Sequence, residues 1–317
     1  MSGVRKTTLR DLAGELGISI SQASRALNRK PDVAPEIRAQ VLALANQRNY
    51  RNLSGKHTKT IGVLVPWMEA SLEPYLNQLI LQTTARKLQM LFFPPNGIPL
   101  LDSSLIDGAL VINSRIPSEW SFRHNIPLVV VNNFGLALDH ISCIFPDADG
   151  ESRLVMEHLI GLGHRKIARL RRPTATEREL NRGLGEFFRI AEQYGIRDNV
   201  CNLCLEETEF EPALRRLLEE GFTAFILIPM EWEGITVKVI REAGKEIPRD
   251  ISLITYENSG VSPFQTPPLT TLEFDYPELV RNALDQLLLE IDGQNGKSQI
   301  IVPTKLNIRK STGPCPL

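Results

Sequence analysis

Four side chains, Ile20, Ser21, Gln22 and Arg25, fall where one outward side of a short helix could present them together. Their types suit the edge of a nucleic acid. A glutamine amide can pair with adenine, and a guanidinium with guanine or phosphate. An exposed isoleucine can meet only a thymine methyl or a sugar; the alternative is partial burial in the head. Two other groups invite chemistry. Cys201 and Cys204 form a CxxC, a redox pair or half of a zinc site. No second CxxC and no histidine at ligand spacing accompanies it, so a reduced structural pair is expected and no metal. His158 and His164 sit in HLxxLGH, which reads as a helix end rather than a catalytic pair. We find no G-x-x-x-x-G-K-[ST], HExxH, G-x-S-x-G or G-x-G-x-x-G after a strand. Neither an enzyme nor a cofactor is expected.

The elements that position the first group follow from spacing. Leu9, Leu12, Ala13 and Leu16 recur at i, i+3, i+4 and i+7, one face of a helix. Gly17 permits a sharp turn. Ser19 is a good N-cap for a second helix with Ala23 and Leu27 inward. Two short helices joined by a tight turn make a helix-turn-helix. Pro35 and Glu36 open a third helix, with Ile37, Val41 and Leu44 facing inward and Tyr50 at its end. The polar run RNLSGKHTKT then reads as a linker.

Charge is divided unevenly along the 317 residues. Residues 1–60 hold 11 basic and 4 acidic residues, a net +7; the rest holds 25 basic and 33 acidic, a net −8. A positive head on an acidic body suits phosphate neutralisation. With 42% hydrophobic and 23% charged residues the chain is of globular type. It shows neither a membrane-length apolar run nor a secretory signal, so the cytoplasm is the expected location.

From Ile61 the texture changes to apolar strands alternating with amphipathic helices. Strands are expected at 61–65, 91–93, 108–112, 127–131, 166–170, 224–228 and 252–256. Helices are expected at about 74–88, 149–162, 177–194, 233–243 and 277–291. This pattern means parallel sheets covered on both faces. The expected fold class is α/β: an all-α head, residues 1–60, then a body, residues 61–317, of two doubly wound lobes. Ligands in such sheets bind beyond the carboxyl ends of the strands.

TLRDLAGELGISISQASRALN (8–28) resembles the head motif of the LacI/GalR family of bacterial repressors. Tyr50, DADGESRLVMEHLIGLGHRKIARL (147–170), DISLITYEN (250–258), PPLTTLEFDY (267–276) and VPTKLNIRKST (302–312) are similar to further family motifs in family order. The resemblance implies a body like periplasmic sugar-binding proteins, double-stranded near-palindromic operator DNA, and a sugar effector in the cleft. It also implies a homodimer; the family's tetramers add a leucine-rich C-terminal helix, where this chain ends in STGPCPL. Ile20, Ser21, Gln22 and Arg25 would read bases. Thr8, Leu9, Ser19, Ser24 and Asn28 would lie against the backbone, and Leu53 would reach the minor groove.

For the effector, the resemblance points to Asp149, to Arg178 or Arg182, and to Glu257. Asp149 is also a candidate helix N-cap. Where the family has a polar contact, the chain has Glu231 and Trp232, the latter either stacking on a sugar or packing inside. About six residues of the family's hinge helix are missing between Tyr50 and Leu53, so a folded hinge helix is not expected. The short linker and EASLEPY (69–75) resemble the evolved-beta-galactosidase repressor subgroup, which would imply a galactoside. The alternatives are a corepressor-dependent or activating member with a non-sugar effector, or a binding protein or enzyme without DNA function.

Overall fold

The computed structural model describes residues 7–27, 32–48, 50, 59–65, 72–93, 106–112, 126–132, 140–173, 183–228, 232–256, 260–294 and 296–316. The head comprises α1 (Leu9–Glu15), α2 (Ile20–Leu27) and α3 (Pro35–Gln47). Thr8 starts α1 through a capping box. Its hydroxyl accepts from the Asp11 amide, and the Asp11 carboxylate accepts from the Thr8 amide and hydroxyl. Gly17, at φ 63°, makes the turn. Ser19 Oγ then accepts from the Gln22 amide at 3.1 Å and caps α2. Leu12, Leu44 and Ala45 are buried against Leu16, Leu27 and Tyr50, and Ala26, Val33 and Val41 against Ile18 and Ile37.

The body begins at β1 (Thr60–Leu64), followed by α4 (Glu73–Ala85), β2 (Gln89–Phe93), β3 (Gly108–Ile112), β4 (Leu128–Val131) and β5 (Ser142–Pro146). Next come α5 (Ala148–Gly161), β6 (Ile167–Arg171), α6 (Leu184–Gln193), β7 (Val200–Cys204), α7 (Glu207–Glu219), β8 (Ala224–Ile228) and α8 (Glu233–Glu242). β9 (Ser252–Tyr256), β10 (Thr270–Phe274), α9 (Tyr276–Ile291), β11 (Gln299–Val302) and β12 (Thr304–Asn307) complete it. Two six-stranded sheets result, ordered β11-β5-β4-β3-β1-β2 and β12-β10-β9-β8-β6-β7. Every pairing is parallel except β10 with β12. These are the two doubly wound lobes expected.

The chain passes between the lobes three times. α5 follows a strand of the first sheet but packs in the second lobe through Val155, Met156, Leu159 and Ile160. α9 follows a strand of the second sheet but packs on the first through Leu279, Val280, Ala283, Leu284 and Leu287. β11 and β12 then lie in different sheets. All three passages, at Asp147, Asp275 and Pro303, leave from the carboxyl ends of strands. The carboxyl ends of both sheets therefore flank one cleft.

Several elements differ from expectation. β5, β7, β10, β11 and α7 were not anticipated. Pro212 inside α7 hides its apolar stripe of Phe210, Leu214, Leu217 and Leu218. β7 carries the CxxC. Cys201 and Cys204, three apart on a strand, point to opposite faces. Burial pushes the Cys201 thiol up to about 11 and raises that of Cys204, so both stay protonated and poor as nucleophiles or ligands. The segment expected to be helical from 177 enters a described helix only at Leu184.

Candidate nucleic-acid interface and effector cleft

The second helix of the head divides its residues cleanly. Ala23 and Ala26 are fully buried, while Ser21 and Arg25 are exposed and Ile20 is 44% exposed. The exposure of Ile20 places it on the outward side, away from the head's core. Gln22 and Ser24 are half-buried beside them. Ser19 spends an acceptor on the Gln22 amide, and its hydroxyl hydrogen can still meet a phosphate. Thr8 is more committed: its hydroxyl donates to Asp11 and accepts from it. Arg25 Nη1 donates to Asp32 Oδ2 at 3.1 Å. Arg48 pairs with Glu15 at 2.7 Å and ties α3 to α1. Leu9 is half-buried. Asn28 and Leu53, with residues 51–58 of the linker, lie outside the described residues.

At the cleft, the cap of α5 corrects one expectation. Asp147 is the N-cap, accepting from the Gly150 amide at 2.9 Å, and Asp149 lies exposed in the first helical turn. An exposed carboxylate at the positive end of a helix beside the lobe passage can meet a ligand hydroxyl. Trp232 is 3% exposed and stacks on Phe210 at 4.0 Å, with the Arg172 guanidinium 5.6 Å from its ring. Of its two anticipated roles, the geometry gives packing: almost no ring surface is open to a sugar. Arg178, Arg182, Glu231 and Glu257 lie outside the described residues.

The described cleft also holds groups that local sequence reasoning missed. Glu151 is buried, one turn after the first passage. It accepts from Tyr256 Oη at 2.8 Å and from Thr304 Oγ1, just past the third passage, at 3.1 Å. The Tyr256 ring lies 5.6 Å from Phe274, which lies 5.7 Å from Tyr276, which meets Tyr75 of α4 edge-on at 4.8 Å. This row runs from the second lobe into the first beside the second passage. Its one visible sequence signal is the aromatic content of EFDY before α9.

Both signature histidines are structural. His164 Nδ1 pairs with Thr223 Oγ1 at 2.9 Å, and Nε2 with Ser252 Oγ at 2.8 Å and the Gly313 carbonyl at 3.1 Å. His158 Nε2 pairs with Thr312 Oγ1 at 3.0 Å. Burial lowers both imidazoles from their usual pKa. They hold the C-terminal segment against the second lobe, away from the strand ends that flank the cleft. No helix among the described residues is long and apolar enough to cross a membrane.

Residues 156–312 match a family described as "Periplasmic binding protein-like domain". The transcriptional regulator MalR of Streptomyces coelicolor is 25% identical, covering 98% of each chain. The transcriptional repressor PurR of Haemophilus influenzae is 29% identical, covering 96% of this chain and 98% of its own. The chain belongs to the LacI/GalR family. In fold it is similar to the Lac repressor dimer bound to operator and the anti-inducer ONPF, with a TM-score of 0.70 and 22% identity over 98% of this chain and all of that one. This LacI/GalR chain thus carries the family's head and body, matched over nearly their whole length.

Proposed function

We propose that the chain is a DNA-binding transcriptional repressor whose operator affinity is set by a small-molecule effector bound between the two lobes. The carrying observation is the join of two units: a helix-turn-helix with Ile20, Ser21 and Arg25 exposed, and a two-lobed body whose strand ends flank one cleft. Residues 1–60 form the DNA-reading head and 61–317 the effector-binding and dimerising body. Related proteins include the ribose operon repressor of Halalkalibacterium halodurans and the lactose operon repressor of Escherichia coli, each 25% identical. A similar fold is seen in the transcriptional regulator CelR in complex with cellobiose. A sugar is accordingly the effector class we assign, with Asp149, either Arg178 or Arg182, and Glu257 as its contacts. The regulator works in the cytoplasm, with its DNA, and has no catalytic role.

The working unit is a homodimer. Ile80 and Leu81 of α4 are 52% and 62% exposed, and Leu91 and Phe92 of the edge strand β2 are 40% and 51% exposed. In the second lobe Phe264 is 84% exposed. Exposed large apolar groups of this kind mark an association surface. A twofold pairing sets two heads on one duplex, so the site they read is an inverted repeat. Selection of duplexes from a randomised pool tests the reading. Recovery of an inverted repeat bound by the dimer is expected. A pool that stays random after repeated rounds contradicts it.

A further inference from the structure

Asp32 is placed to control how Arg25 is used. The head holds four acids in an otherwise basic sequence. Asp11 serves the Thr8 capping box, Glu15 braces Arg48, and Glu36 lies in the first turn of α3. Asp32, in the turn between α2 and α3, bonds instead to an exposed arginine of the second helix. The two side chains are 50% and 53% exposed, and the single bond uses Nη1 alone.

We propose that Asp32 is a specificity-determining residue for DNA reading, holding Arg25 for a base edge and against a phosphate. This rests on the DNA-reading role of Arg25 proposed above. A guanidinium carries five donors in a rigid fork, and a bond at one Nη leaves the Nε/Nη2 edge for the paired acceptors of guanine. Fixing the side chain beforehand lowers the rotamer entropy that binding would otherwise cost. The same carboxylate repels a phosphate, which is negatively charged, far more than a neutral guanine edge. Asp32 therefore weakens the sequence-independent part of binding and spares the part that discriminates. It costs affinity for DNA at large and raises the ratio by which the preferred site is favoured.

The test compares the full-length protein with Asp32→Asn, which keeps shape and removes charge, and with Asp32→Ser as a second variant. The probes are the tightest duplex recovered by selection and a scrambled duplex of equal length, across a salt series. Expected for both variants is tighter binding to the scrambled duplex, by up to about fivefold, the size of an exposed ion pair. The preferred duplex changes less, so their ratio falls. The salt slope on the scrambled duplex steepens by about 0.9, one added phosphate contact. Glu36→Gln, an equal charge change away from Arg25, leaves the ratio unchanged. With Arg25→Ala in place, Asp32→Asn no longer moves the ratio. Equal shifts on both duplexes, matching Glu36→Gln, overturn the proposal, as does a ratio that rises. A wild-type protein that binds both duplexes alike overturns the DNA-reading role itself, and this inference with it.

Discussion

The head and the body are stabilised by different means. In the head, two small clusters bury three residues each, and much of the remaining definition comes from a capping box, a serine cap and exposed ion pairs. In the first lobe of the body a single cluster buries eighteen residues, drawn from α4, α9 and the sheet. Folded units of such unequal cores respond unequally to loss. The head spends its surface on polar side chains that can touch DNA, and it keeps little apolar area in reserve. The body can lose a contact and remain folded, which a ligand-driven rearrangement between two lobes requires.

The sharpest test of that contrast is Leu12→Ala. Leu12 is fully buried in the head. Its truncation costs about 2–5 kcal/mol, comparable to what so small a core supplies. We expect the head to unfold and DNA binding to vanish while the body's calorimetric transition stays in place. Leu284→Ala, equally buried in the first lobe, should lower the body's melting temperature without unfolding it. If both substitutions shift one shared transition, head and body are not independent units.

The next largest effect concerns the dimer. Leu81→Glu with Phe92→Glu sets charges into the exposed apolar surface. Sedimentation should show monomers, and operator affinity should fall by about a hundredfold as the avidity of paired heads is lost. Effector binding, seen by thermal shift, should persist in the monomer. Retained dimers place the interface elsewhere.

His164 distinguishes the body by its buried polar bonds. His164→Gln should cost about 1–3 kcal/mol through the groups left unsatisfied at Thr223 and Ser252. The pH dependence has a definite sign. Burial lowers His164 and His158 below the ordinary value of 6.5, so the unfolded chain binds protons more readily than the folded one. Their contribution is fully present above about pH 6.5 and is lost as the pH falls toward the depressed values. Urea titrations of the body between neutral and mildly acidic pH should show declining stability, with a shallower decline in His164→Gln. A decline equally steep in the variant assigns the effect to other groups.

The smallest effect is Thr8→Ala. Loss of the cap should cost about 0.5–2 kcal/mol, confined to the head and measurable by protease susceptibility. An effect on the body's transition is not expected.

What sequence reasoning reached, and what it missed, follows the range over which each signal acts. Strands such as GALVI (108–112) and AFILI (224–228) are buried on both faces and show as unbroken apolar runs. The head was legible because its caps and turn are local. Three kinds of feature were not. Pro212 hid α7, and the two cysteines of β7 drew attention as a motif when they are simply strand residues on opposite faces. The Asp147 cap was assigned two residues late because DADG offers two carboxylates with similar claims. Lobe membership lies beyond local pattern altogether. Nothing in the periodicity of α9 shows that it returns to the first sheet, because its apolar stripe fits either. The Glu151, Tyr256 and Thr304 group depends on that return and on the third passage, so it emerges only in three dimensions.

In the proposed switch, a ligand in the body controls a head that reads DNA. The direct measurement is anisotropy of a labelled duplex recovered by selection, bound by the full-length protein and titrated with a panel of sugars at fixed salt. At least one sugar is expected to release the preferred duplex and, with reciprocal linkage, to bind more weakly when that duplex is present. Operator affinity that no sugar changes, alongside a sugar that demonstrably binds the body, would contradict it.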